Sequence, residues 1–257
     1  MNDPTEPSSP SQSTLPARPV VLVPTYNERE NIDAILDAIL EAQPSAHVAV
    51  IDDASPDGTG AMADARAAAD PRIHVVHRAR KEGLGPAYLH GFRWALQQPA
   101  GYTHVFEMDA DFSHDPAHLG PMLAKARAGA DVVVGSRWVP GGGIEGWSHV
   151  RLGISYGGSF YARTVLGIGV LDLTAGFVCY RRRVLEVLPL SEVRSRGYGF
   201  QIEMKYRALV AGFSLVEHPI VFPDRVRGES KMSLRIVLEG ATAVWRLRRT
   251  LPRPPST

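Results

Sequence analysis

Asp109-Ala110-Asp111 places two carboxylates one residue apart, directly after an apolar run at 105–108. A pair of this kind offers hard oxygen donors that Mg²⁺ or Mn²⁺ accepts, with coordination positions left over for diphosphate oxygens. A cation held there offsets the charge on a departing nucleoside diphosphate. Three other segments precede it, each after a short apolar run: Pro24-Thr25-Tyr26-Asn27-Glu28, Asp52-Asp53-Ala54-Ser55-Pro56-Asp57-Gly58 and Lys81-Glu82-Gly83-Leu84-Gly85. An edge this acidic repels an anionic ligand unless a cation intervenes. Taken singly, each segment is weak: an Asp-x-Asp or Asp-Asp is more often a turn or a helix cap than a metal site. Four in order at four successive strand ends is not what independent turns produce.

To line one edge, these segments need a sheet whose strands run the same way. Apolar runs at 20–23, 48–51, 73–77, 105–108 and 132–134 alternate with segments of helical period at 32–40, 58–69, 86–97 and 115–128. That alternation predicts an α/β fold, a mostly parallel sheet with helices on both faces. Ligands of such sheets bind beyond the carboxyl ends of the strands, where the four segments fall. No G-x-G-x-x-G follows the first strand and no G-x-x-x-x-G-K-[ST] occurs, which excludes the dinucleotide fingerprint and the P-loop. His114 and His118 lie four apart, but no further helical or cysteine ligand completes a zinc site. The single cysteine, Cys179, excludes an intramolecular disulfide and reads as a small buried hydrophobe.

The chain has 257 residues, with 28 basic and 27 acidic side chains, a net charge of +1. The balance is a cancellation. From Arg225 onward there are eight basic and two acidic residues, so the end carries +6 and the body −5. Such an end suits anionic lipid headgroups or a phosphorylated substrate, and nucleic acid is not an expected partner. Residues 1–18, rich in Pro and Ser, predict a flexible lead-in to a catalytic domain at 19–232. An amphipathic helix follows at 233–250, and a Pro-rich frayed tail at 251–257. In that helix Arg235, Glu239, Thr242, Arg246 and Arg249 form a narrow polar stripe on an otherwise apolar cylinder. This pattern fits an interfacial helix, a helix docking a membrane partner, or one packed on its own domain. The stretch 154–171, with Arg163 its only charge, is a second candidate for the bilayer surface. No stretch is long and apolar enough to span a membrane.

The strand-end segments resemble family 2 inverting glycosyltransferases with the GT-A (Rossmann-like) fold. Gly135-Ser136-Arg137, Arg151, the segment 197–204 and Arg225-Val226-Arg227-Gly228-Glu229-Ser230-Lys231 narrow the likeness. They resemble dolichol-phosphate mannose synthases, of the actinobacterial polyprenol monophosphomannose synthase type, over roughly 19–233. The resemblance implies mannose transfer from GDP-mannose to a polyprenyl phosphate, with Mg²⁺ or Mn²⁺. It implies that Pro24, Tyr26, Glu28, Ile51 and Asp53 frame the nucleoside, with Lys81, Gly83 and Ala110 also on the donor side. Asp109 and Asp111 would face metal and diphosphate, with Ser113 at a metal-shell position where some relatives have Gln. Arg137, Arg151 and Ser155 would lie near the acceptor phosphate, with Arg225 and Lys231 closing over the site. Pro86 departs from the small or hydroxyl residue more usual after Gly-Leu-Gly. A peripheral position at the cytoplasmic face of the plasma membrane follows, with a membrane-protein partner or fused membrane domain as in some actinobacterial relatives. The rivals are UDP-glucose as donor to the same lipid phosphate, and a non-catalytic nucleotide-binding module.

Overall fold

The computed structural model describes residues 17–195, 197–223 and 234–255, with the side chains of 234–239 and 241 left aside. The central sheet follows from the apolar runs. Strands β1 (Pro19–Thr25), β2 (His47–Asp52), β3 (Ile73–His77) and β4 (His104–Glu107) pair in parallel in the order β3-β2-β1-β4. Val20 to Val23 and Val48 to Ile51 are wholly buried, as strands covered on both faces must be. The covering helices are α1 (Ile32–Ala42), α2 (Thr59–Ala69), α3 (Leu84–Gln97) and, after a short 3₁₀ turn at Pro116–His118, α4 (Leu119–Arg127).

Beyond β4 the order departs from a simple parallel sheet. β5 (Val132–Ser136) does not pair with β4; β7 (Val178–Arg181), the run around Cys179, lies antiparallel between them. β8 (Leu215–Pro219) closes the sheet parallel to β5. A two-stranded ribbon, β6 (Gly143–Ile144) with β9 (Val221–Phe222), extends this half past the strand ends.

Pro86 is absorbed because α3 begins at Leu84, earlier than the periodicity predicts, so the proline sits in the first turn where its missing N–H has no intrahelical acceptor to lose. Gly83, at φ +101°, makes the turn into that helix. α5 (His149–Leu166), α7 (Tyr198–Val210) and α8 (Leu234–Thr250) form a separate apolar cluster, with α6 (Arg182–Val187) following β7. There Ala162 and Leu166 meet Ile202, Tyr206, Val244 and Leu247.

Two expected boundaries change. Ala17 packs on the core and the Arg18 N–H donates to Thr103 Oγ1 at 2.8 Å, so these two are anchored and do not belong to a flexible lead-in. The remainder of that segment, 1–16, lies outside the described residues. At the other end Leu251 joins the α5–α7–α8 cluster and the Pro252 carbonyl accepts from Tyr206 Oη at 3.1 Å, so these two residues are docked, while 256–257 lie outside the described residues. α8 buries Ala243, Val244 and Leu247 against its own domain, which settles that part of its apolar face in favour of internal packing.

Candidate active site

The carboxyl ends of β1 and β4 open into a cavity of ≈ 310 Å³ lined by residues of both sheet halves. Three of the loops that shape the strand edge carry a non-glycine residue at positive φ: Asn27 (+60°), Ala54 (+55°) and Phe112 (+60°). Backbone in this region is costly for L-residues and persists where surrounding contacts fix it. Those contacts are visible. Asp52 accepts from Ser55 N (3.1 Å), Ser55 Oγ (2.6 Å) and Thr25 Oγ1 (3.2 Å), so it locks its own turn. The Glu28 N–H donates to Thr59 Oγ1, tying the first loop to the second.

The acidic wall is Asp109 and Asp111, which line the cavity with Ala110, Glu28 and Pro24. The Asp109 N–H donates to His114 Nδ1 at 3.0 Å, and Tyr88 Oη donates to Asp109 Oδ1 at 3.4 Å. The Ser113 N–H donates to Asp111 Oδ1 at 3.1 Å. Ser113 Oγ is buried with no hydrogen-bond partner among the described residues. Two carboxylates on one cavity wall beside an orphaned hydroxyl fit a hard divalent cation. No group of three His, Cys, Asp or Glu among the described residues could hold a metal alone, so substrate oxygens would have to complete the shell. His114 is not a zinc ligand with His118: its Nδ1 takes the Asp109 N–H, and His118 Nδ1 pairs with His218 Nε2 at 3.1 Å.

The same cavity also has basic lining, Arg137 and Arg151, together with Trp147, Thr174 and Tyr198. Arg137 is buried and not a freely extended phosphate hook. Its Nε and Nη2 donate to the two Asp172 oxygens at 2.7 Å each, and Nη2 also donates to Thr174 Oγ1. Burial alone would raise the Asp172 pKa, but the Arg137 pair outweighs it and holds the carboxyl below its ordinary value. Asp172 is itself placed by Glu217, whose carboxylate accepts from the N–H groups of Leu171 and Asp172.

Behind the lining residues Ala175 and Gln201, Lys205 and Glu107 are two further buried ionisable groups, linked through Gln201. Lys205 Nζ donates to the Ala175 carbonyl at 2.7 Å and to Gln201 Oε1 at 3.2 Å, while Gln201 Nε2 donates to Glu107 Oε2 at 2.6 Å. Desolvation raises the Glu107 pKa and lowers that of Lys205.

The structure separates several expected donor residues from this cavity. Ile51 is a core residue packed against α3 at Gly91, and its side chain does not line the cavity. Asp53 is ion-paired with Arg78, which also reaches Glu82 at 2.8 Å; burial raises the Asp53 pKa while Arg78 pulls it down. Lys81 Nζ sits 3.7 Å above the Tyr26 ring centroid. Gly83 shapes the entry to α3, and Ser155 lies half-buried on α5, one turn beyond Arg151. Arg225 and Lys231 lie outside the described residues. Asp172, Glu217, Gln201, Lys205 and Trp147 were not anticipated as site residues; of these only Gln201 falls in a recognised segment.

A mostly parallel sheet with a carboxylate pair at its ligand-binding edge is the arrangement of the GT-A glycosyltransferases. The sequence pattern described as Glycosyl transferase family 2 matches residues 20–188, and the chain belongs to that family. It is 49% identical over 247 residues to the polyprenol monophosphomannose synthase of Mycolicibacterium smegmatis, covering 95% of this chain and 91% of that protein. It is 48% identical over 229 residues to the undecaprenyl-phosphate mannosyltransferase of Micrococcus luteus, covering 89% and 93%. Among solved structures it superposes with a TM-score of 0.65 on glucosyl-3-phosphoglycerate synthase of Mycobacterium tuberculosis, solved with Mn²⁺ and UDP, at 19% identity and covering 92% of this chain and 81% of that one. That likeness concerns the fold.

Proposed function

We propose that the protein transfers mannose from GDP-mannose to a polyprenyl phosphate, with inversion at the sugar carbon and release of GDP. The observation that carries this is the lining of one cavity by two unlike sets of side chains, the carboxylates Asp109 and Asp111 and the guanidinium groups Arg137 and Arg151. The carboxylates suit a cation-neutralised diphosphate, the arginines an anionic acceptor. The names of the two relatives near 50% identity support the lipid phosphate and the mannose. GDP as the nucleotide rests on the resemblance of the sequence motifs.

In the step itself, an acceptor phosphate oxygen bonds to the anomeric carbon from the face opposite the leaving group. The bond from that carbon to the diphosphate oxygen breaks, and its electron pair leaves on GDP. A phosphate monoester is already anionic near neutral pH, so no general base has to take a proton. The protein's part is to bring two anions together and hold them in line. Asp109 and Asp111 would hold Mg²⁺ or Mn²⁺, which supplies charge compensation for the leaving diphosphate. Arg137, fixed by Asp172, and Arg151 would fix the acceptor phosphate, with Arg225 and Lys231 assigned to the same task by the motif they share.

The acceptor's hydrocarbon tail requires a bilayer, and no helix among the described residues is long and apolar enough to cross one. α5 offers a peripheral surface instead. Val150 (73% exposed), Ile154, Tyr156 and Phe160 are solvent-facing along it, and Arg151 on the same helix lines the cavity. The lipid phosphate would enter at that end with its tail along the exposed face, at the cytoplasmic side of the membrane.

The test supplies purified protein with polyprenyl phosphate, Mg²⁺ or Mn²⁺, and labelled GDP-mannose or UDP-glucose. Label should enter an organic-extractable lipid from GDP-mannose. Label from UDP-glucose alone identifies a glucosyltransferase, and nucleotide binding without transfer identifies a non-catalytic module.

A further inference from the structure

Trp147 lines the cavity beside the arginines. It lies in the loop between β6 and α5, immediately before Ser148, whose hydroxyl accepts the Arg151 N–H at the helix start. The Arg151 guanidinium carbon stands 3.7 Å from the centroid of the Trp147 ring, within stacking distance. The Arg137 guanidinium lies 5.8 Å from the same ring and 5.6 Å from Phe222, whose ring meets Trp147 edge-on at 5.5 Å. Trp147 therefore lies within cation–π range of both arginines, and it lines the cavity with them.

The indole Nε1–H adds a second observation. It is buried and has no acceptor among the described residues. A buried tryptophan N–H normally finds a partner, and one left without it at a ligand cavity is a donor that a bound ligand can satisfy. Beside two guanidinium groups the ligand that fits is an anion with several acceptor oxygens.

We infer that Trp147 is a binding residue for the acceptor phosphate, its Nε1–H donating to a phosphate oxygen while its ring face holds the Arg151 fork in orientation. This rests on the reading above that the arginine wall receives the polyprenyl phosphate. Recognition would then act on the acceptor and leave the nucleotide sugar untouched, because the carboxylate wall is formed by other residues.

Two variants separate the parts. Trp147→Phe keeps a ring for Arg151 to stack on and removes only the N–H; Trp147→Leu removes both. Steady-state kinetics with a short-chain polyprenyl phosphate and GDP-mannose read KM for each substrate. Loss of one hydrogen bond to a charged group corresponds to about a tenfold rise in the acceptor KM of Trp147→Phe, with the GDP-mannose KM within about twofold of wild type. Trp147→Leu should raise the acceptor KM further, since the stack is lost as well. An unchanged acceptor KM in Trp147→Phe overturns the assignment, because the N–H then rests on the Phe222 ring and touches no substrate. An equal rise in both KM values overturns it too, placing the donor on the diphosphate side. Absence of transfer by the wild-type protein overturns the underlying reading, and the assignment with it.

Discussion

Arg137 shows how a residue that its motif marks for chemistry also carries a structural tie that the motif does not reveal. Its motif marks it for a phosphate, yet Asp172 grips it through two 2.7 Å bonds in a buried site. An arginine clamped this way cannot swing, which keeps one charge at a fixed place on the cavity wall. Removing its partner leaves an uncompensated buried charge, so Asp172→Asn should cost about 3–5 kcal/mol of stability in urea unfolding. The acid limb should change with it. The Asp172 pKa is lowered in the folded protein, so its contribution is present above the unfolded value of about 3.9 and is lost as pH falls below that. Asp172→Asn should flatten the stability profile in that range; an unaltered profile would show that other carboxylates govern it. At the acidic wall, Asp111→Asn keeps the acceptor for the Ser113 N–H in place but removes a charge. The transfer rate should fall about 10²–10³-fold, the scale of losing one charge-stabilising group, and activity near wild type would refute the assignment to metal and diphosphate. Asp172 and Lys205 were not legible in the sequence, because each is a lone charge whose partner lies far along the chain.

At the scale of elements, the strands that position the site were the legible part. Runs such as 20–23 and 48–51 are uniformly apolar because both faces of the sheet are covered, and their carboxyl ends carry the motifs. The place of β7 was not legible: a hydrophobic run shows that a strand exists, and its antiparallel insertion between β4 and β5 depends on tertiary pairing. The loop after β5 hides a similar constraint. A Cβ added at Gly142 would stand 2.6 Å from the Ser136 carbonyl oxygen, with backbone on the other side of the contact. Gly142→Ala should therefore shift the turn leading to β6 and cost about 1–3 kcal/mol, read as a lowered Tm. β4 carries a pH-dependent element of its own at its start. His104 is buried, its Nε2 has no partner among the described residues, and desolvation pushes its pKa down to about 4. The unfolded imidazole titrates near 6.5, so the unfolded state binds the extra proton between those values and stability falls as pH drops from about 6.5 to about 4. Urea midpoints of His104→Gln should decline less steeply over that window than those of the wild type. Parallel slopes would assign the decline to other groups, such as His218, which burial also lowers to about 4.

At the scale of the whole molecule, the near-neutral net charge conceals an acidic body and a basic end. The sequence leaves the final helix with two opposed roles, because an apolar face edged by arginines serves a bilayer and a protein core equally well. Packing decides for its second half. Val244 and Leu247 are 1% exposed against Ile202 and Tyr206 of α7 and Ala162 and Leu166 of α5, and Arg246 reaches Ser195 Oγ at 2.6 Å. α8 thus braces the two helices that carry cavity residues, Arg151 on α5 and Tyr198 and Gln201 on α7. Trp245, between the two buried positions, is half exposed and turns away from that core. Leu247→Ala should lower the stability of the lipid-free protein by about 2–5 kcal/mol, the cost of a cavity in a packed cluster. Trp245→Ala should change it by about 1 kcal/mol or less and act, if anywhere, on binding to anionic vesicles. Were α8 an interfacial helix alone, Leu247→Ala would leave unfolding in water untouched and weaken vesicle binding instead. The two variants, compared with and without vesicles, therefore separate a helix that completes the domain from one that waits for a membrane.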